Sequence, residues 1–375
     1  MPNYNRHFFI LSFFTILFLG CASDKEPAFT IEGSVLNLKE NFVVLSVIED
    51  IQNAKIRIVD TIKVTDLGKF ESDYNLEPSI YSLTFDGIKT INLAIDKGQH
   101  IAVKGNSLDD LEISGSVDTD LLIAYEAFRI ESLDRLVNSV RKEIKTLQSD
   151  SANEDKIAEL REVEVENYKT HLNELMVFVK EKMGTSIAVY PTSTRWNGEN
   201  NLPFLQKLVA EFEEKNPGLN ITQKLKDKLR LLEKTSVGGT ISGIEMPSSS
   251  NEMIALNNIR GRYTLIDFWA SWCPPCRSES KLLANLYHTY QEKGFEIYGI
   301  SLDSKRENWL NAIEKDKRIW ANVSTVEGFK TPVSLEYGIT SLPTNFLIDA
   351  SGKIIAANIH GQQLKEKIDA LFLEN

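Results

Sequence analysis

The sequence predicts three structural parts: an all-β sandwich domain, a helical region and a C-terminal α/β domain. Hydrophobic residues recur at every second position up to about Ser116, then at every third or fourth position, and finally in alternating strand and helix patterns. A length of 375 residues, with 42% hydrophobic and 25% charged residues, is typical of an ordinary globular protein. The predicted parts are residues 1–20 (an export signal), 21–28 (a tether), 29–116 (the sandwich), 117–235 (the helical region) and 236–375 (the α/β domain).

The first residues carry the pattern of an export signal. A positive flank at Arg6 precedes an apolar run, residues 8–20, which is shorter than the roughly 20 residues that a membrane span needs. The Leu-Gly-Cys sequence that ends at Cys21 is similar to the lipobox of bacterial lipoproteins, in which the cysteine carries lipid. We therefore expect lipidation at Cys21 and a periplasmic location in the Gram-negative cell envelope, anchored to a membrane by lipid. A plain signal peptide or a short anchor helix, with Cys21 incidental, is the alternative.

The β region contains short runs of alternating hydrophobicity, separated by turn signals such as Asp86-Gly87. Short strands at this spacing favour an antiparallel sandwich. His100 stands alone, and nothing in this region indicates a catalytic site. Apolar residues at alternate positions of a predicted strand lie on one face, which is predicted to face the core. These residues are Ile56, Ile58, Ile62 and Val64; Tyr81, Leu83 and Phe85; and Ile91, Leu93 and Ile95.

Two long amphipathic helices are predicted between residues 118 and 183, joined near residues 149–155, because apolar residues recur there at threes and fours. Two shorter helices follow, Leu202–Lys215 and Thr222–Lys234, with Thr222 as the expected N-cap. The acidic tract at 159–166 is interpreted as a solvated helix face, and a partner-binding face stays open as the alternative.

A linker at residues 235–243 leads into the last domain, where strand and helix patterns alternate. An apolar run at 263–270 suits a buried central strand, and a helix is expected from the cysteines to Tyr290. A strand, a helix, a hairpin-like pair of strands around Ser351-Gly352 and a closing helix follow. This alternation is typical of an α/β domain.

Apart from Cys21, the chain has only Cys273 and Cys276, so a disulfide scaffold is excluded and the pair is a chemical feature. The pair lies where a predicted strand turns into a helix, and the unpaired N–H groups and partial positive charge of a helix N-terminus stabilise a thiolate. A spacing of three residues puts both sulfurs on one helix face, and Pro274 fits the first helical position. Cys273 is predicted to be the exposed nucleophile and Cys276 the more buried resolving thiol.

Other uses of a Cys-x-x-Cys pair fit this sequence poorly. Structural zinc needs two further ligands, and the mature chain has no other cysteine and no nearby histidine. Covalent haem attachment needs a histidine directly after the second cysteine, where Arg277 stands. No metal and no cofactor are therefore predicted. A formal net charge of −11 without a basic patch argues against a nucleic-acid partner.

The residues around the cysteines resemble a known family. Residues 265–276 are similar to the active-site strand and turn of thioredoxin, and residues 341–349 resemble the segment that carries the cis-proline of that fold. The likeness is greatest for the membrane-linked TlpA and ResA group, because an insertion follows the strand at 295–303 and an acid, Glu279, lies three residues after the second cysteine. The resemblance covers residues 238–375. The N-terminal part is similar, by pattern, to the small β domain that often precedes such modules in lipoproteins of Bacteroidetes-type bacteria.

The resemblance implies roles for individual residues. Cys273 attacks a disulfide and Cys276 resolves the intermediate. Asp267 corresponds to the buried acid of thioredoxin, and Glu279 to the acid that this group places near the thiols; such a carboxylate should have a raised pKa and could accept the proton of Cys276. An alternative for Asp267 is a buried acid that only supports the fold. Pro343 should follow a cis peptide bond. The implied substrate-binding residues are Trp272, Pro274, Pro275, Leu342 and Pro343.

Together these features predict an envelope-anchored thiol:disulfide oxidoreductase that acts on protein disulfides, as a reductant or exchanger by resemblance. The expected partners are disulfide-containing envelope proteins, a thiol donor in the membrane, and the membrane itself through the lipid anchor. Two departures limit the likeness: Ser280-Lys281 stand where the group often has a proline after its acid, and Pro274-Pro275 replace the Gly-Pro of thioredoxin. A thiol peroxidase and a ligand-binding lipoprotein with an accessory redox module stay open as alternatives.

Overall fold

The computed structural model of the protein describes residues 27–51, 54–148, 153–196, 198 and 201–373. The predicted export signal and the predicted lipidation site Cys21 lie outside these residues. Within the described ranges, no helix combines the length and the apolar character that crossing a bilayer requires.

The strands and helices of the described residues occur in the order that the sequence predicts: a β region, a helical segment and an α/β domain. The strands are β1 (Phe29–Val35), β2 (Phe42–Asp50), β3 (Lys55–Lys63), β4 (Lys69–Tyr74), β5 (Ser79–Phe85), β6 (Lys89–Ile95), β7 (Gln99–Gly105), β8 (Glu112–Ser114), β9 (Glu245–Pro247), β10 (Met253–Ala255), β11 (Tyr263–Trp269), β12 (Phe295–Ser301), β13 (Ala321–Val323), β14 (Thr344–Asp349) and β15 (Ile354–Ala357). The α-helices are α1 (Val117–Leu133), α2 (Ser139–Leu147), α3 (Glu154–Phe178), α4 (Val189–Thr192), α5 (Leu202–Lys215), α6 (Asn220–Thr235), α7 (Leu256–Ile259), α8 (Pro274–Tyr290), α9 (Arg306–Lys315), α10 (Pro332–Glu336) and α11 (Gly361–Leu373).

Strands β1–β8 form two four-stranded sheets, one in the order β4-β1-β7-β8 and the other in the order β3-β2-β5-β6. Side chains from both sheets meet in one buried core, which includes Ile31, Leu45, Leu83 and Ile101. This confirms the all-β sandwich. The expectation of a purely antiparallel arrangement is wrong, because β1 and β7 run parallel, with Ile31 beside Ile101. The long connection between these two strands lets the chain return in the same direction.

The predicted core face of β3 is only partly right. Ile62 is buried, whereas Ile56 and Ile58 are exposed. The register of β3 gives the reason: Ile58 and Asp60 lie opposite consecutive residues of β2, so Val59 between them is an extra residue, a β-bulge. Because alternate positions on a strand point to opposite faces, the bulge reverses which side chains face the core.

The helical segment contains the two long and two shorter helices that the periodicity predicts, together with the short helix α4, which it missed. α1 continues into α2 through a π-helical segment at Asp134–Asn138, and a second such segment, Val179–Met183, extends α3. The predicted N-cap of α6 is wrong, because the helix begins at Asn220. The Thr222 hydroxyl lies within the first turn and donates to the carbonyl of Asn216 at 2.7 Å.

The helices cover the outer face of the second sheet. Ile80 of β5 and Ala94 of β6 belong to the same hydrophobic cluster as Tyr125 of α1. The hydroxyls of Ser116, the N-cap of α1, and of Thr119 donate to the carbonyl of Ala94 at 2.8 and 2.9 Å. The sheet β3-β2-β5-β6 therefore buries side chains on both faces, one against the first sheet and one against the helices.

The C-terminal domain contains a five-stranded sheet in the order β13-β12-β11-β14-β15. The central strand β11 pairs in parallel with β12 and antiparallel with β14. Helices α8 and α11 pack on one face of this sheet around Leu265, and α10 packs on the other face around Ile266. The strand order and directions confirm the predicted thioredoxin-like α/β architecture. The β9–β10 hairpin, β13 and α10 were not predicted, because they are short.

The segment that the sequence suggests as a linker is attached to this domain. The N–H of Gly238 donates to the carbonyl of Ile354 at 2.8 Å, and the N–H of Ile241 donates to the carbonyl of Gly352 at 2.9 Å. Ile241 is also buried in the core. These residues therefore run along the C-terminal hairpin as part of the fold.

Candidate active site

The two cysteines lie at the junction between the central strand and its helix. β11 ends at Trp269, and α8 begins at Pro274 with Cys273 as its N-cap. Cys273 and Cys276 form a disulfide, with their Cα atoms 5.4 Å apart. The backbone N–H of Cys276 donates to Sγ of Cys273 at 3.3 Å. As predicted, the first sulfur lies at the N-terminus of a helix and accepts one of the N–H groups that have no partner inside the helix.

Cys273 is not the exposed nucleophile that the sequence predicts. In this disulfide form only 3% of Cys273 and 2% of Cys276 are exposed to solvent. Both residues belong to a buried cluster with Trp269 and with Trp309 of α9. The first sulfur is therefore almost as buried as the second, because α9 packs against the end of β11 beside the cysteines.

Two side chains hold the loop that precedes Cys273. The carboxylate of Asp303, which is buried after β12, accepts hydrogen bonds from the backbone N–H of Ser271, at 2.9 Å, and from its hydroxyl. Nη1 of Arg277 donates to the carbonyl of Ser271 at 3.1 Å, and the same guanidinium is ion-paired with Asp316. Sequence reasoning missed these residues. The position of Asp303 at the end of a predicted strand was the available signal.

Asp267 of β11 is buried and ion-paired with Arg318, whose side chain is fully buried as well. Nη1 of Arg318 donates to the hydroxyl of Ser280 at 2.7 Å, and that hydroxyl donates to the carbonyl of Cys276 at 3.2 Å. The guanidinium also lies 3.8 Å from the ring centroid of Trp269. A chain of hydrogen bonds therefore connects the buried acid to the helical turn that carries Cys276.

Burial raises the pKa of Asp267 above its ordinary value of 3.8, and the charge of Arg318 opposes that rise. The raised pKa expected from the resemblance is thus found at Asp267. Its role as proton acceptor for Cys276 stays a prediction. Sequence reasoning missed Arg318, although a single arginine beside the apolar residues Ile319 and Trp320 was a usable signal.

Glu279 lies one turn after Cys276 and binds the start of α11. One carboxylate oxygen accepts the N–H of Gly361 at 2.8 Å, and the other lies 3.1 Å from Nδ1 of His360. Burial pushes the pKa of Glu279 upward, but His360 and the N–H of Gly361 outweigh burial and hold the pKa below 4.5. The expectation of a raised pKa is therefore wrong for Glu279. Sequence reasoning also missed His360, which the fold brings to this acid from 81 residues away.

Replacing Glu279 with glutamine is expected to lower the free energy of unfolding at pH 7 by about 2 kcal/mol, because charge-assisted hydrogen bonds to Gly361 and His360 are lost. The folded-state pKa of Glu279 is depressed, so its stabilising contribution is present above the unfolded value of 4.5 and is lost as the pH falls through the lower folded-state pKa. Urea unfolding at pH 7 and at about pH 3.5 should show a smaller gap between wild type and variant at the lower pH. Glu366→Gln, at an exposed position of α11, is the control. A gap of equal size at both pH values contradicts this account.

The peptide bond between Leu342 and Pro343 is cis, which confirms that prediction. Pro343 and Pro275 line the same two cavities beside the cysteines, and Leu342 lines the larger of them. Trp272 is 52% exposed, and its ring centroid lies 6.0 Å from that of Phe329. The structure brings these residues to one end of the domain. Substrate binding by them, and by Pro274 at the first position of α8, stays a prediction.

The helical segment forms the opposite side of both cavities. Val165 of α3 lines both of them together with Pro275 and Pro343. The sequence did not predict this contact, because an amphipathic pattern indicates that a helix buries one face but does not indicate which part of the chain covers that face. The helical segment therefore limits access to the end of the C-terminal domain where the cysteines lie.

The arrangement supports thiol–disulfide exchange. When the pair is reduced, the helix N-terminus stabilises a thiolate at Cys273, and this thiolate can attack a disulfide to give a mixed disulfide. Cys276, one turn along the same helix, can then displace the bound group and close the intramolecular disulfide. Among the described residues, no group of three or more His, Cys, Asp and Glu side chains is arranged to hold a metal ion.

Known proteins are similar in sequence to this domain. The model of the AhpC/TSA family matches residues 237–357. The thiol-disulfide oxidoreductase ResA of Bacillus thuringiensis (strain Al Hakam) is 31% identical over 145 residues, which is 36% of this chain and 77% of that protein.

Solved structures of Bacteroides proteins are also similar. The thioredoxin domain of a thiol-disulfide oxidoreductase from Bacteroides vulgatus is 33% identical, and the match covers 36% of this chain and 97% of that one, with a TM-score of 0.35. A thiol-disulfide oxidoreductase from Bacteroides fragilis NCTC 9343 is 34% identical, covering 36% of this chain and 98% of that one, with a TM-score of 0.32.

The segment matched by the family model contains both cysteines and Pro343. The identity with ResA extends over most of the length of that protein. Through its C-terminal domain, the chain belongs to the thioredoxin-like thiol-disulfide oxidoreductases.

Proposed function

We propose that the protein exchanges disulfides with protein substrates in the cell envelope, as a reductant, while a lipid on Cys21 anchors it to a membrane. The observation that carries the proposal is the disulfide between Cys273 and Cys276 at the N-terminus of α8, at the same end of the domain as Pro343. A redox pair at this position passes electrons to a client through a mixed disulfide. By the resemblance to thioredoxin, the backbone of Leu342 would pair with an extended segment of that client.

The anchor and the direction of electron flow rest on the sequence. The export signal and the lipobox-like residues before Cys21 support a periplasmic, lipid-anchored enzyme. The resemblance to the TlpA and ResA group supports reduction of clients. A reductant in an oxidising compartment must be reduced again after each turnover, so a thiol donor in the membrane is the second partner that we propose.

Protein clients require the active-site end to open. Cys273 is almost fully buried in this disulfide form, and α3 lies across the cavities beside Pro275 and Pro343. We therefore expect the helical segment to shift, or the reduced cysteine to become more exposed, when a protein client binds.

Reduction of insulin disulfides tests the proposal. Residues 22–375, which lack the export signal and the lipidated cysteine, should accelerate insulin reduction by dithiothreitol, and Cys273→Ser should not exceed the rate without enzyme. Equal rates for the two proteins would refute the proposed activity. The reduction potential tests the direction: a value near that of thioredoxin, about −270 mV, supports a reductant, and a value near about −120 mV supports an oxidant.

A thiol peroxidase is the second candidate, because the matched family model is that of the AhpC/TSA family. In that reaction a peroxide oxidises the thiolate of Cys273 to a sulfenic acid, and Cys276 condenses with it to give the same disulfide and water. Peroxide consumption that depends on Cys273 and exceeds insulin reduction would favour this candidate.

A further inference from the structure

An interdomain cavity of about 360 Å³ separates the helical segment from the cysteine end of the C-terminal domain. Residues of α2, α3 and α6 form one side of this cavity, and Pro275, Leu342 and Pro343 lie on the other side. A molecule held in the interdomain cavity therefore contacts both the helices and the residues next to the disulfide.

Positive charge is concentrated in the interdomain cavity. Its charged lining consists of four basic side chains and one acidic side chain, in a chain whose formal net charge is −11. The acid, Glu164, is already bound by Arg141 and by Arg161, at 2.7 and 2.8 Å. The basic residues of the lining are Arg141, Lys169, Arg195 and Lys228. The cavity therefore favours an anion over a cation or a neutral molecule.

Lys228 of α6 differs from the other basic residues of the lining, because no described residue pairs with it. Within the described part of the chain, its ammonium group makes no hydrogen bond and no ion pair. The other basic residues of the lining have acidic partners: Lys169 is paired with Glu166 at 3.0 Å, Arg195 lies 4.0 Å from Glu126, and Arg141 binds Glu164. Burial alone lowers the pKa of Lys228 from 10.5 to about 8. The side chain of Lys228 is half-buried in the lining of the cavity, so an anionic ligand there would supply the counter-charge that the described residues do not provide.

The side of the interdomain cavity that the C-terminal domain forms indicates that part of the ligand lies near the cysteines. Pro275 lies between the two cysteines, and Pro343 lines the same space. A ligand that pairs with Lys228 therefore extends towards the site of thiol–disulfide exchange. The cavity lies between two packed parts of one chain and has room for a small molecule. Neither cysteine is part of its lining, so Cys273 must become more exposed on reduction before it reacts with the ligand.

We propose that the interdomain cavity binds a small disulfide that carries carboxylates, and that Lys228 pairs with one of them. This inference rests on the exchange chemistry proposed above and adds a second substrate class. The reduced enzyme reacts in two steps: the thiolate of Cys273 forms a bond to one ligand sulfur and the other half leaves as a thiolate, which takes up a proton. Cys276, deprotonated, then attacks Sγ of Cys273 and releases the second half. One disulfide is reduced to two thiols, and the dithiol of the enzyme is oxidised to its disulfide.

Binding to the oxidised enzyme tests the site without turnover, because a disulfide ligand and a disulfide enzyme do not exchange without a free thiol. The probe is 3,3′-dithiodipropionate, and its control is the corresponding diamide, which has a similar shape and no charge. By calorimetric titration we expect the dianion to bind about 10-fold more tightly than the diamide, since one charge-assisted hydrogen bond has about this effect.

Variants of Lys228 test the assignment. Lys228→Met should bind the dianion about 10-fold more weakly and the diamide equally well, and Lys228→Arg should retain most of the affinity. Lys207→Met removes an exposed lysine of α5 and should leave both affinities unchanged. Thermal unfolding checks the fold, and Lys228→Met should be about as stable as wild type, because the charge that it removes is half-buried and has no partner among the described residues. A dianion that binds no better than the diamide, or that binds Lys228→Met equally well, overturns the proposal.

Rates of turnover with the two probes and with insulin distinguish a failure of this inference from a failure of the proposed function. Reduced wild-type enzyme should release two molecules of 3-mercaptopropionate per enzyme molecule, and it should react faster with the dianion than with the diamide. An enzyme that reduces insulin but reacts equally with the two probes contradicts the small-molecule site alone. An enzyme that reduces the dianion but not insulin contradicts the protein-client proposal and supports the site.

Discussion

Replacing Cys276 with serine is expected to trap client proteins on Cys273. The attacking sulfur and the helix N-terminus that stabilises its thiolate remain, whereas the thiol that releases the client is gone. Resolution by Cys276 is an intramolecular step between sulfurs held one helical turn apart. An external thiol at millimolar concentration should replace it on the order of 1,000-fold more slowly, because it lacks the high effective concentration of a positioned group.

The trap is measured by separating envelope extracts on non-reducing gels after incubation with the reduced Cys276→Ser protein. Adducts should disappear on addition of dithiothreitol, and mass spectrometry should place the bond at Cys273. Cys273→Ser is the matched control, since it leaves only the second thiol. If Cys273→Ser traps the same proteins and Cys276→Ser does not, the assigned roles of the two cysteines are reversed.

Replacing Arg318 with methionine is expected to destabilise the protein by about 3–5 kcal/mol, because it leaves the carboxylate of Asp267 buried without its partner. Both side chains are almost completely inaccessible to water. The Ser280 hydroxyl loses its donor in the same change. Without the guanidinium, the pKa of Asp267 should rise further, so the loss of stability should be larger at pH 8 than at pH 5.

A second substitution separates the charge from the packing. Asp267→Leu combined with Arg318→Met removes both charges and should recover most of the stability that Arg318→Met loses, since a buried ion pair and an apolar pair of similar volume are often equivalent. Arg57→Met breaks an exposed ion pair with Glu49 and should cause no measurable change. Urea unfolding of the full chain compares the four proteins. A double variant as unstable as Arg318→Met would mean that the guanidinium acts by filling space.

Features that depend on neighbouring residues could be predicted from the sequence. The helix after Cys273 is one example, because Pro274 and the preceding apolar strand are local signals. The cis peptide bond at Pro343 is another, since it followed from a short similar segment. The order of the longer strands and helices after residue 262 followed from periodicity, whereas the short elements β13 and α10 were missed.

For features that depend on distant residues, the predictions from the sequence were absent or wrong. Arg318 reaches Asp267 and His360 reaches Glu279 across 51 and 81 residues, so no local pattern indicates either contact. The lowered pKa of Glu279 follows from one of these contacts, and the burial of Cys273 follows from the packing of α9. The exposure of Ile58 follows from a single inserted residue, which periodicity cannot detect.

The sheet β3-β2-β5-β6 has two covered faces, and this limits where the chain can be truncated without exposing its core. A fragment that stops after β8 would leave Ile80 and Ala94 without the helices that shield them, and we expect such a fragment to aggregate. Residues 27–235 keep that shield intact. The smallest detachable N-terminal module is therefore the sandwich together with its helices, and truncation, fusion or domain exchange should respect that limit.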